Sequence, residues 1–196
     1  MFYKLLNLEV LRLLRNGLLS IVLLIACCGI GNAQSNSAEE GQIVLEQALN
    51  KAEKSNKQVF LMFKASWCGL CKKLQKIMNE PDVKPLFDAH FVFEDLVVFE
   101  SKKNKHLENP GATEILEELK GTDSGIPYWV ILDASGKLLA NPKLNAGNSV
   151  LIGSGANIGC PISDAEIKGF IYKLKRTTTM RPDDLDLIAS KFSGEN

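Results

Sequence analysis

Apolar residues recur along the chain in two patterns, continuous runs and helical spacings, and the two patterns alternate. Continuous runs at residues 59–63, 91–99 and 128–132 predict strands covered on both faces, and a turn at 133–136 leads into a predicted fourth strand at 137–140. Apolar residues three and four apart predict helices at 37–52, 67–80, 109–120, 163–174 and 182–192. Strands and helices in this order predict a central sheet with helices on both faces.

Several predicted helices carry signals for where they begin. Ser37 with Glu40, and Ser163 with Glu166, have the spacing of a capping box, in which each residue bonds the backbone of the other. Asn109–Pro110 has the composition of a helix start, because proline fits the first helical position. These three signals predict the starts of the first, third and fourth helices.

The first part of the chain has the pattern of a signal peptide. Lys4, Arg12 and Arg15 precede an apolar run at residues 17–29, which is too short to span a bilayer comfortably. Small residues follow this run and predict cleavage after Ala33. We therefore expect the remaining chain to be exported.

This pattern divides the chain into a signal peptide (1–33), a polar linker (34–38) and one domain (39–196). A second cut stays open, because residues 24–27 resemble the lipobox of bacterial lipoproteins, in which the cysteine, here Cys27, is lipidated and becomes the new N-terminus. An uncleaved anchor is the third alternative. Each alternative predicts export to the periplasm or cell envelope of a bacterium.

Composition narrows the class of protein further. The 196 residues are 45% hydrophobic, with 23 basic and 23 acidic side chains, so no electrostatic footprint for nucleic acid is present. Five cysteines occur, and Cys27 and Cys28 fall in the predicted signal peptide. The domain keeps Cys68, Cys71 and Cys160, an odd number that excludes a complete framework of structural disulfides.

Cys68 and Cys71 stand where the strand predicted at 59–63 passes into a helix. At the first turn of a helix, free backbone N–H groups and the positive end of the dipole stabilise a thiolate, which is the nucleophilic form. Cys71 lies one turn later on the same face, where it can attack a mixed disulfide on Cys68 and release the substrate as a thiol. Lys72 and Lys73 add positive charge. The pattern predicts thiol-disulfide exchange, with Cys68 attacking and Cys71 resolving.

Two segments resemble the thioredoxin superfamily. Residues 63–72, FKASWCGLCK, are similar to the family's strand-to-helix motif, and residues 125–136, GIPYWVILDASG, are similar to its cis-proline loop and following hairpin. The similarity covers residues 40–175 and is closest in character to the soluble thioredoxin-like domain of thiol-disulfide interchange proteins. It implies a thioredoxin-like α/β fold, with a mixed sheet of four strands flanked by helices and extra C-terminal helices at 163–193 that close the core.

The resemblance also implies a substrate-binding surface around the two cysteines. Pro127 is expected to be cis, with Ile126 presenting its backbone to an extended substrate segment, as in strand addition. A trans proline at a strand start is the alternative. Trp67 is expected to form a lid beside the active site. Gly69 and Leu70 replace the Gly-Pro of thioredoxins, so the reduction potential is not carried over from them.

One position departs from the thioredoxin pattern. Thioredoxins have a buried aspartate six residues before the first cysteine, where it assists proton transfer, and this chain has Met62 there. A thioether cannot transfer a proton. Either Glu94 or another group takes this role, or exchange is slower or biased to a different direction of electron flow.

Other residues have plainer interpretations. Cys160 is expected to be a small buried hydrophobic residue, and Tyr128 and Trp129 are expected in the core or on the sheet surface. The charge-rich segment 100–105 is expected to be a solvated loop. Residues 141–162 are rich in glycine and asparagine and carry no periodic pattern.

A zinc site is the alternative interpretation of the cysteine pair, because cysteines two residues apart also bind metal. Such a site needs a second pair or suitably spaced histidines. Only Cys160, His90 and His106 remain, at irregular spacing, so no metal site is predicted.

These observations lead to two hypotheses. The first is an exported thiol-disulfide oxidoreductase that acts on protein disulfides or dithiols and needs no bound cofactor. Its partners would be protein thiol or disulfide clients and an upstream redox donor or acceptor. It would be a monomer, and would touch the membrane only through an N-terminal lipid anchor. The second hypothesis is a thioredoxin-fold binding or chaperone module whose dithiol is regulatory or structural.

Overall fold

The computed structural model describes residues 38–145 and 150–194. The predicted signal peptide and nearly all of the predicted linker lie outside the described residues, and so does Ser37. Within the described ranges, no helix is long and apolar enough to cross a bilayer.

A four-stranded mixed sheet forms the centre of the described domain. Its strands are β1 (Gln58–Lys64), β2 (Phe91–Val97), β3 (Tyr128–Leu132) and β4 (Leu138–Ala140). They lie in the order β2-β1-β3-β4, with β1 parallel to β2 and antiparallel to β3, and β3 antiparallel to β4. All four predicted strands are present, and the predicted mixed sheet is confirmed.

Six α-helices and two short 3-10 helices are present in the described part of the chain. They are α1 (Gly41–Ser55), α2 (Gly69–Met78), α3 (Lys84–His90), α4 (Ala112–Glu118), α5 (Asp164–Thr177) and α6 (Pro182–Ser193), with 3-10 helices at Lys102–Leu107 and Thr122–Ser124. The sequence predicts all of the α-helices except α3. Its seven residues bury only Phe87, which is too little for a periodic signal.

Side chains alternate along β1 and so divide the core into two layers. Phe60 and Met62 lie in the layer that α2, α3, α5 and α6 cover. Leu61 and Phe63 lie in the other layer, under α1 and α4. Helices therefore flank the sheet on both faces, as the alternation of elements predicts.

An aromatic series connects the sheet to the two last helices. Phe60 stacks on Trp129 with ring centroids 5.3 Å apart, Trp129 meets Phe170 edge to face at 5.3 Å, and Phe170 meets Phe192 at 5.2 Å. Trp129 and Phe170 are fully buried. These ring contacts place α5 and α6 in the same core as the sheet. Burial of each large side chain stabilises the fold by about 1.5–3 kcal/mol.

The helix starts only partly follow the predicted caps. Glu40 precedes α1 rather than lying in its first turn, so the predicted capping box is wrong there. The Gly41 N–H instead donates to Pro110 O at 2.7 Å, which satisfies one free helix donor through the backbone. At α5, Ser163 and Glu166 form the predicted box, with both bonds present.

The start of α4 also differs from its prediction. Gly111 is the N-cap residue, at φ 78°, and no side chain caps the helix. The Asn109 side chain accepts from Val97 N at 2.8 Å and donates to Glu39 O at 2.7 Å. Asn109 therefore joins the end of β2 to the segment before α1, a long-range contact that the local pattern does not predict.

A lysine anchors the glycine- and asparagine-rich segment that follows β4. Lys173 of α5 is fully buried, and its Nζ donates to the carbonyl oxygens of Lys143 (3.1 Å), Val150 (2.6 Å) and Leu151 (3.0 Å). Burial lowers the pKa of Lys173 to about 8. The segment is thus tied to a helix through a buried cation.

Asn141 organises the same segment from within. Its side chain is buried, accepts from Gly153 N at 2.9 Å and donates to Gly153 O at 3.0 Å. A single bridge pairs Lys143 with Asn157. Within residues 141–145 and 150–157, these contacts give a stretch without helix or strand a defined path that leads to Asn157, beside the start of β3.

Candidate active site

Cys68 and Cys71 are joined by a disulfide at the start of α2, with their Cα atoms 5.3 Å apart. Cys68 is the N-cap residue, and its Sγ accepts from Cys71 N at 3.1 Å. The helix begins at Gly69, two residues later than the predicted start near Trp67. This places the sulfur of Cys68 at the amino end of a helix, where a thiolate is stabilised.

The disulfide lies just under an apolar part of the surface. Cys68 is 3% exposed and Cys71 is 1% exposed, whereas Trp67 is 59% exposed and Leu70 is 45% exposed. Gly69 is exposed as well. The two sulfurs therefore lie beneath the surface, next to the exposed side chains of Trp67 and Leu70.

Ile126 contacts the cysteine pair from the other side. Its side chain packs against Ala65, Cys68 and Cys71. The Ile126–Pro127 peptide bond is cis, as the resemblance implies, and Pro127 is buried before β3. The structure thus brings both predicted cysteines and both residues of the predicted cis-proline loop to one place.

Trp67 and Ser66 are held by the segment that follows β2. The indole Nε1 of Trp67 donates to Phe99 O at 2.9 Å. The Ser66 backbone N–H donates to one carboxylate oxygen of Glu100, and its hydroxyl donates to the other at 2.8 Å. Asn104 Nδ2 also donates to the Ser66 hydroxyl, at 3.4 Å. These bonds fix the residues directly before Cys68.

The prediction of a solvated loop at residues 100–105 is wrong for Glu100. This residue is 8% exposed, and the residues after it form the 3-10 helix Lys102–Leu107. Burial acts to raise the pKa of Glu100, but the hydrogen bonds from Ser66 outweigh it and leave the pKa lowered. One signal was available, because β1 and β2 run in parallel and their carboxyl ends meet at the same edge, so the residue after β2 lies near the motif after β1.

The group that faces Met62 on the neighbouring strand is Asp95, not Glu94. Met62 is in register with Asp95 in the parallel pair, and both line one small cavity. The Asp95 carboxylate accepts from Gln75 Nε2 at 2.7 Å and from Lys64 Nζ at 2.5 Å. Glu94 is in register with Leu61.

Glu94 therefore lies on the opposite face of the sheet. Its carboxylate pairs with Lys51 of α1 at 3.1 Å. The hypothesis that Glu94 substitutes for the missing acid is therefore wrong, because a side chain on that face points away from α2 and its cysteines.

The remaining cysteine is a buried thiol. Cys160 is 2% exposed and unpaired, and burial raises its pKa, as expected for a cysteine that serves as a small hydrophobic residue. Trp129 and Tyr128 lie in the core, as predicted. Among the described residues, no three His, Cys, Asp or Glu side chains lie close enough together to hold a metal ion.

Comparison with known proteins gives a family match for part of the chain. Residues 41–134 match the sequence model of the family described as Thioredoxin-like. No curated protein sequence matches the chain. The match includes β1 to β3, α2 with both cysteines, and the cis-proline loop, whereas α5, α6 and the segment between β4 and α5 lie outside it.

Several solved structures are similar to the chain. One is a disulphide isomerase from Xylella fastidiosa Temecula1, at 18% identity over 82% of this chain and 97% of that chain, with a TM-score of 0.45. Another is the oxidised C-terminal domain of DsbD from Neisseria meningitidis, at 23% identity over 61% and 90% of the two chains, with a TM-score of 0.38. A third is the N-terminal domain of PilB from Neisseria gonorrhoeae, at 18% identity over 66% and 82%, with a TM-score of 0.34.

The fold and the site together define the class of protein: a thioredoxin-like oxidoreductase domain with a Cys-x-x-Cys pair. The predicted fold class and enzyme class are both confirmed at this level. Residues 41–134 are the thioredoxin-like part of this chain, and residues 135–194 add β4, α5 and α6 to it.

Proposed function

We propose that the protein exchanges its Cys68–Cys71 disulfide with the thiols and disulfides of client proteins in the cell envelope. The observation that carries this proposal is the position of the pair: a disulfide at the amino end of α2, with Ile126 of the cis-proline loop packed against it. A purely structural disulfide would need neither a helix start nor a neighbouring backbone segment that is free to bind a substrate.

The chemistry moves two electrons between client and protein. In the reducing direction, the Cys68 thiolate attacks one sulfur of a client disulfide, that S–S bond breaks, and the other client sulfur leaves as a thiolate. Cys71 then loses its proton and attacks the Cys68 sulfur, which forms the Cys68–Cys71 disulfide and releases the client as a dithiol. A dithiol donor restores the reduced pair. In the oxidising direction each step runs in reverse, and a disulfide acceptor restores the pair.

Helix α2 favours the attacking group electrostatically. The Cys68 sulfur already accepts a hydrogen bond from Cys71 N, and the first-turn N–H groups offer partial positive charge to a thiolate. Lys72 and Lys73 are exposed in the same turn and add to this field. Cys68 is therefore the attacking thiol, and Cys71 is the resolving one.

Client contact would use the residues around the pair. Trp67, Gly69 and Leu70 are exposed beside Cys68, and Ile126 lies against both cysteines. An extended client segment would pair with the Ile126 backbone and would lie over Pro127, in the manner of strand addition. These contacts would hold the client cysteine in reach of Cys68.

The first residues of the chain support a location in the cell envelope. The basic and apolar pattern at 1–33 supports export, with cleavage after Ala33 or lipidation at Cys27. The mass of the mature N-terminal peptide from the native host distinguishes the alternatives. A free residue 34 supports cleavage, a diacylglycerol adduct on Cys27 supports the lipid anchor, and an intact residue 1 would contradict both.

Reduction of insulin by dithiothreitol tests the activity. We expect the wild-type chain to accelerate the reaction and Cys68→Ser to abolish the acceleration, because the attacking sulfur is lost. Cys160→Ala is the matched control, since it removes a buried thiol outside the site and should keep the activity. Acceleration that survives both Cys68→Ser and Cys71→Ser would contradict the proposal.

Trapping of clients separates the enzyme from a binding module. Cys71→Ser should retain client proteins as mixed disulfides on Cys68, because the resolving thiol is missing. Non-reducing electrophoresis of cell-envelope extracts would show these adducts, and Cys68→Ser would show none. An empty trap together with an inactive wild type would favour a thioredoxin-fold binding or chaperone module.

A further inference from the structure

The cis-proline loop, residues 124–127, is held by a side chain that lies outside residues 41–134, the family segment that matches the thioredoxin-like model. Asn157 Nδ2 donates to the carbonyl oxygens of Ser124 (2.9 Å), Gly125 (3.2 Å) and Pro127 (3.1 Å). Its Oδ1 accepts from Gly159 N at 2.9 Å. The two amide hydrogens of Asn157 are thus shared among three carbonyls of a four-residue stretch.

Gly159 brings the same segment into direct contact with the loop. It has φ +50°, and a Cβ at this position would lie 3.0 Å from Pro127 O and 3.4 Å from the proline ring. The Gly159 carbonyl accepts from the indole of Trp129 at 2.8 Å. Residues 157–159 are therefore anchored to β3 and press closely on Pro127, which only glycine allows.

Ile126 is the one residue of this loop whose carbonyl does not accept a hydrogen bond from Asn157. The described residues supply no hydrogen-bond partner for its backbone N–H or its carbonyl, although the carbonyls on both sides are bonded. Its side chain packs against the buried cluster that contains Cys68 and Cys71. An extended polypeptide that carried a reactive cysteine would therefore find a free donor and a free acceptor next to the disulfide.

We propose that Asn157 is a positioning residue that orients the Ile126 backbone and so sets the affinity of the site for extended polypeptide segments. The inference rests on the proposed function, in which such segments are the clients. Asn157 touches neither the reacting sulfurs nor the client; it acts through the carbonyls of Ser124, Gly125 and Pro127. Affinity for peptide should depend on it, whereas sulfur reactivity should not.

Kinetics with a large and a small disulfide test this separation. In Asn157→Ala, we expect KM for insulin to rise about tenfold, with kcat within about twofold, as for lost hydrogen bonds that help only to place the substrate. Reduction of the small aromatic disulfide DTNB and the Cys68–Cys71 reduction potential should stay unchanged, because neither uses the Ile126 edge. Asn145→Ala is the matched control. Asn145 bonds Ser154 N and Gly155 N in the same segment but does not reach the cis-proline loop.

A second measurement works without turnover. In a Cys71→Ser background, Cys68 can be equilibrated with glutathione and with a short unstructured peptide that contains one cysteine. Asn157→Ala should lower the ratio of peptide adduct to glutathione adduct about tenfold, because glutathione is too short to pair along the edge. If the alanine chain does not fold, Asn157→Asp keeps the size and the acceptor for Gly159 N, and replaces the donor.

The outcomes separate the two proposals. If the wild type does not reduce insulin but Asn157→Ala still lowers the adduct ratio in the Cys71→Ser background, the proposed function is overturned and the role of Asn157 is supported. Equal loss toward insulin and DTNB, or an unchanged adduct ratio, would overturn the role of Asn157 and leave the function standing. A Cys68 that forms no adduct with either thiol would overturn both.

Discussion

The two segments that meet at the disulfide are held by different chemistry. Ser66 and Trp67, which precede the attacking cysteine, depend on the buried carboxylate of Glu100 and on a backbone carbonyl. The cis-proline loop at 124–127 depends on the neutral amide of Asn157. The first support lies within the family segment 41–134, and the second lies beyond it.

The two supports therefore differ in strength and in their response to pH. Bonds to an ionised carboxylate are roughly twice as strong as bonds between neutral groups, but they weaken when the carboxylate is protonated. An amide has no such titration. We call Ser66 and Trp67 the cysteine side of the site and residues 124–127 the client side. Acid should weaken the bonds that hold the cysteine side, whereas substitutions in the C-terminal part of the chain should weaken those that hold the client side.

Loss of Lys173 should give the largest effect and should act on the client side alone. Lys173→Met leaves the carbonyls of three half-buried residues without their donor, so we expect the free energy of unfolding to fall by about 3 kcal/mol in urea titrations. The amides of Ser124 and Gly159, which donate to Gly121 O and Asn157 Oδ1, should exchange faster with deuterium, while those of Ser66 and Cys68 keep their protection. Lys168→Met is the control, on the exposed side of the same helix. Equal loss of protection at both segments would contradict the separation.

The titration of Lys173 offers a second test of the same support. Burial lowers its pKa to about 8, below the ordinary 10.5. Between these values the unfolded chain binds more protons than the folded chain, so folding becomes more favourable as pH rises. The stability of the wild type relative to Lys173→Met should therefore increase as pH rises through this window. A difference that stays flat or falls would contradict the assigned pKa direction.

Removal of the Glu100 charge should have the next largest effect and should act on the cysteine side. Glu100→Gln keeps the side chain's size but loses charge-assisted bonds to Ser66, so we expect a loss of about 1–2 kcal/mol in the free energy of unfolding. Amide exchange should accelerate at Ser66 and Cys68 and stay unchanged at Ser124 and Gly159. Glu117→Gln, at an exposed position, is the matched control. Faster exchange at Ser124 and Gly159 would show that the two supports are coupled.

Acid should reproduce part of the Glu100 effect. Its folded pKa is lowered from the ordinary 4.5, so its contribution is fully present above that value and is lost as pH falls through the folded pKa. The difference in unfolding free energy between the wild type and Glu100→Gln should shrink as the pH drops below about 4.5. The same difference for Asn157→Ala should stay constant. A constant difference for Glu100→Gln would show that its carboxylate is not the titrating group.

Trp67→Phe should have the smallest effect, because the bond from its indole to Phe99 O lies at an exposed position. We expect a loss of about 0.5 kcal/mol in the free energy of unfolding, with Ser66 protection intact. Phe99→Leu keeps the carbonyl acceptor and serves as the control. A loss as large as that of Glu100→Gln would mean that the indole bond, and not the carboxylate, holds this segment.

Local patterns were sufficient to predict the strands, most helices and the cysteine pair, and the family resemblance implied the cis-proline loop. Each depends on residues that are close in sequence: the run at 128–132 forms β3, and the two cysteines of one helical turn form the disulfide. The helix caps succeeded only at Ser163, where both partners lie in one turn. Gly41, directly after Glu40, and Asn109 find partners elsewhere in the fold, so the local signals at Glu40 and Asn109 were misleading.

The supports of the site were not predictable in the same way. Ser66 and Glu100 are 34 residues apart, and Asn157 lies 30 residues after Pro127. Glu100 stands in a charge-rich stretch and Asn157 in a glycine-rich one, both typical of solvated loops. Only tertiary structure brings them to their partners. Lys173, on an otherwise regular helix, likewise carries no sign in the sequence that it is buried.

The aromatic series from Phe60 through Trp129 to Phe192 sets the smallest piece of this chain that can fold independently. A fragment cut at residue 134, where the family match ends, would lose Phe170 and Phe192. Solvent would then reach the part of the Trp129 indole that Phe170 contacts. Newly exposed apolar surface of this kind favours aggregation over a unique native state. Limited proteolysis of the intact chain should therefore leave a resistant body that reaches to α6.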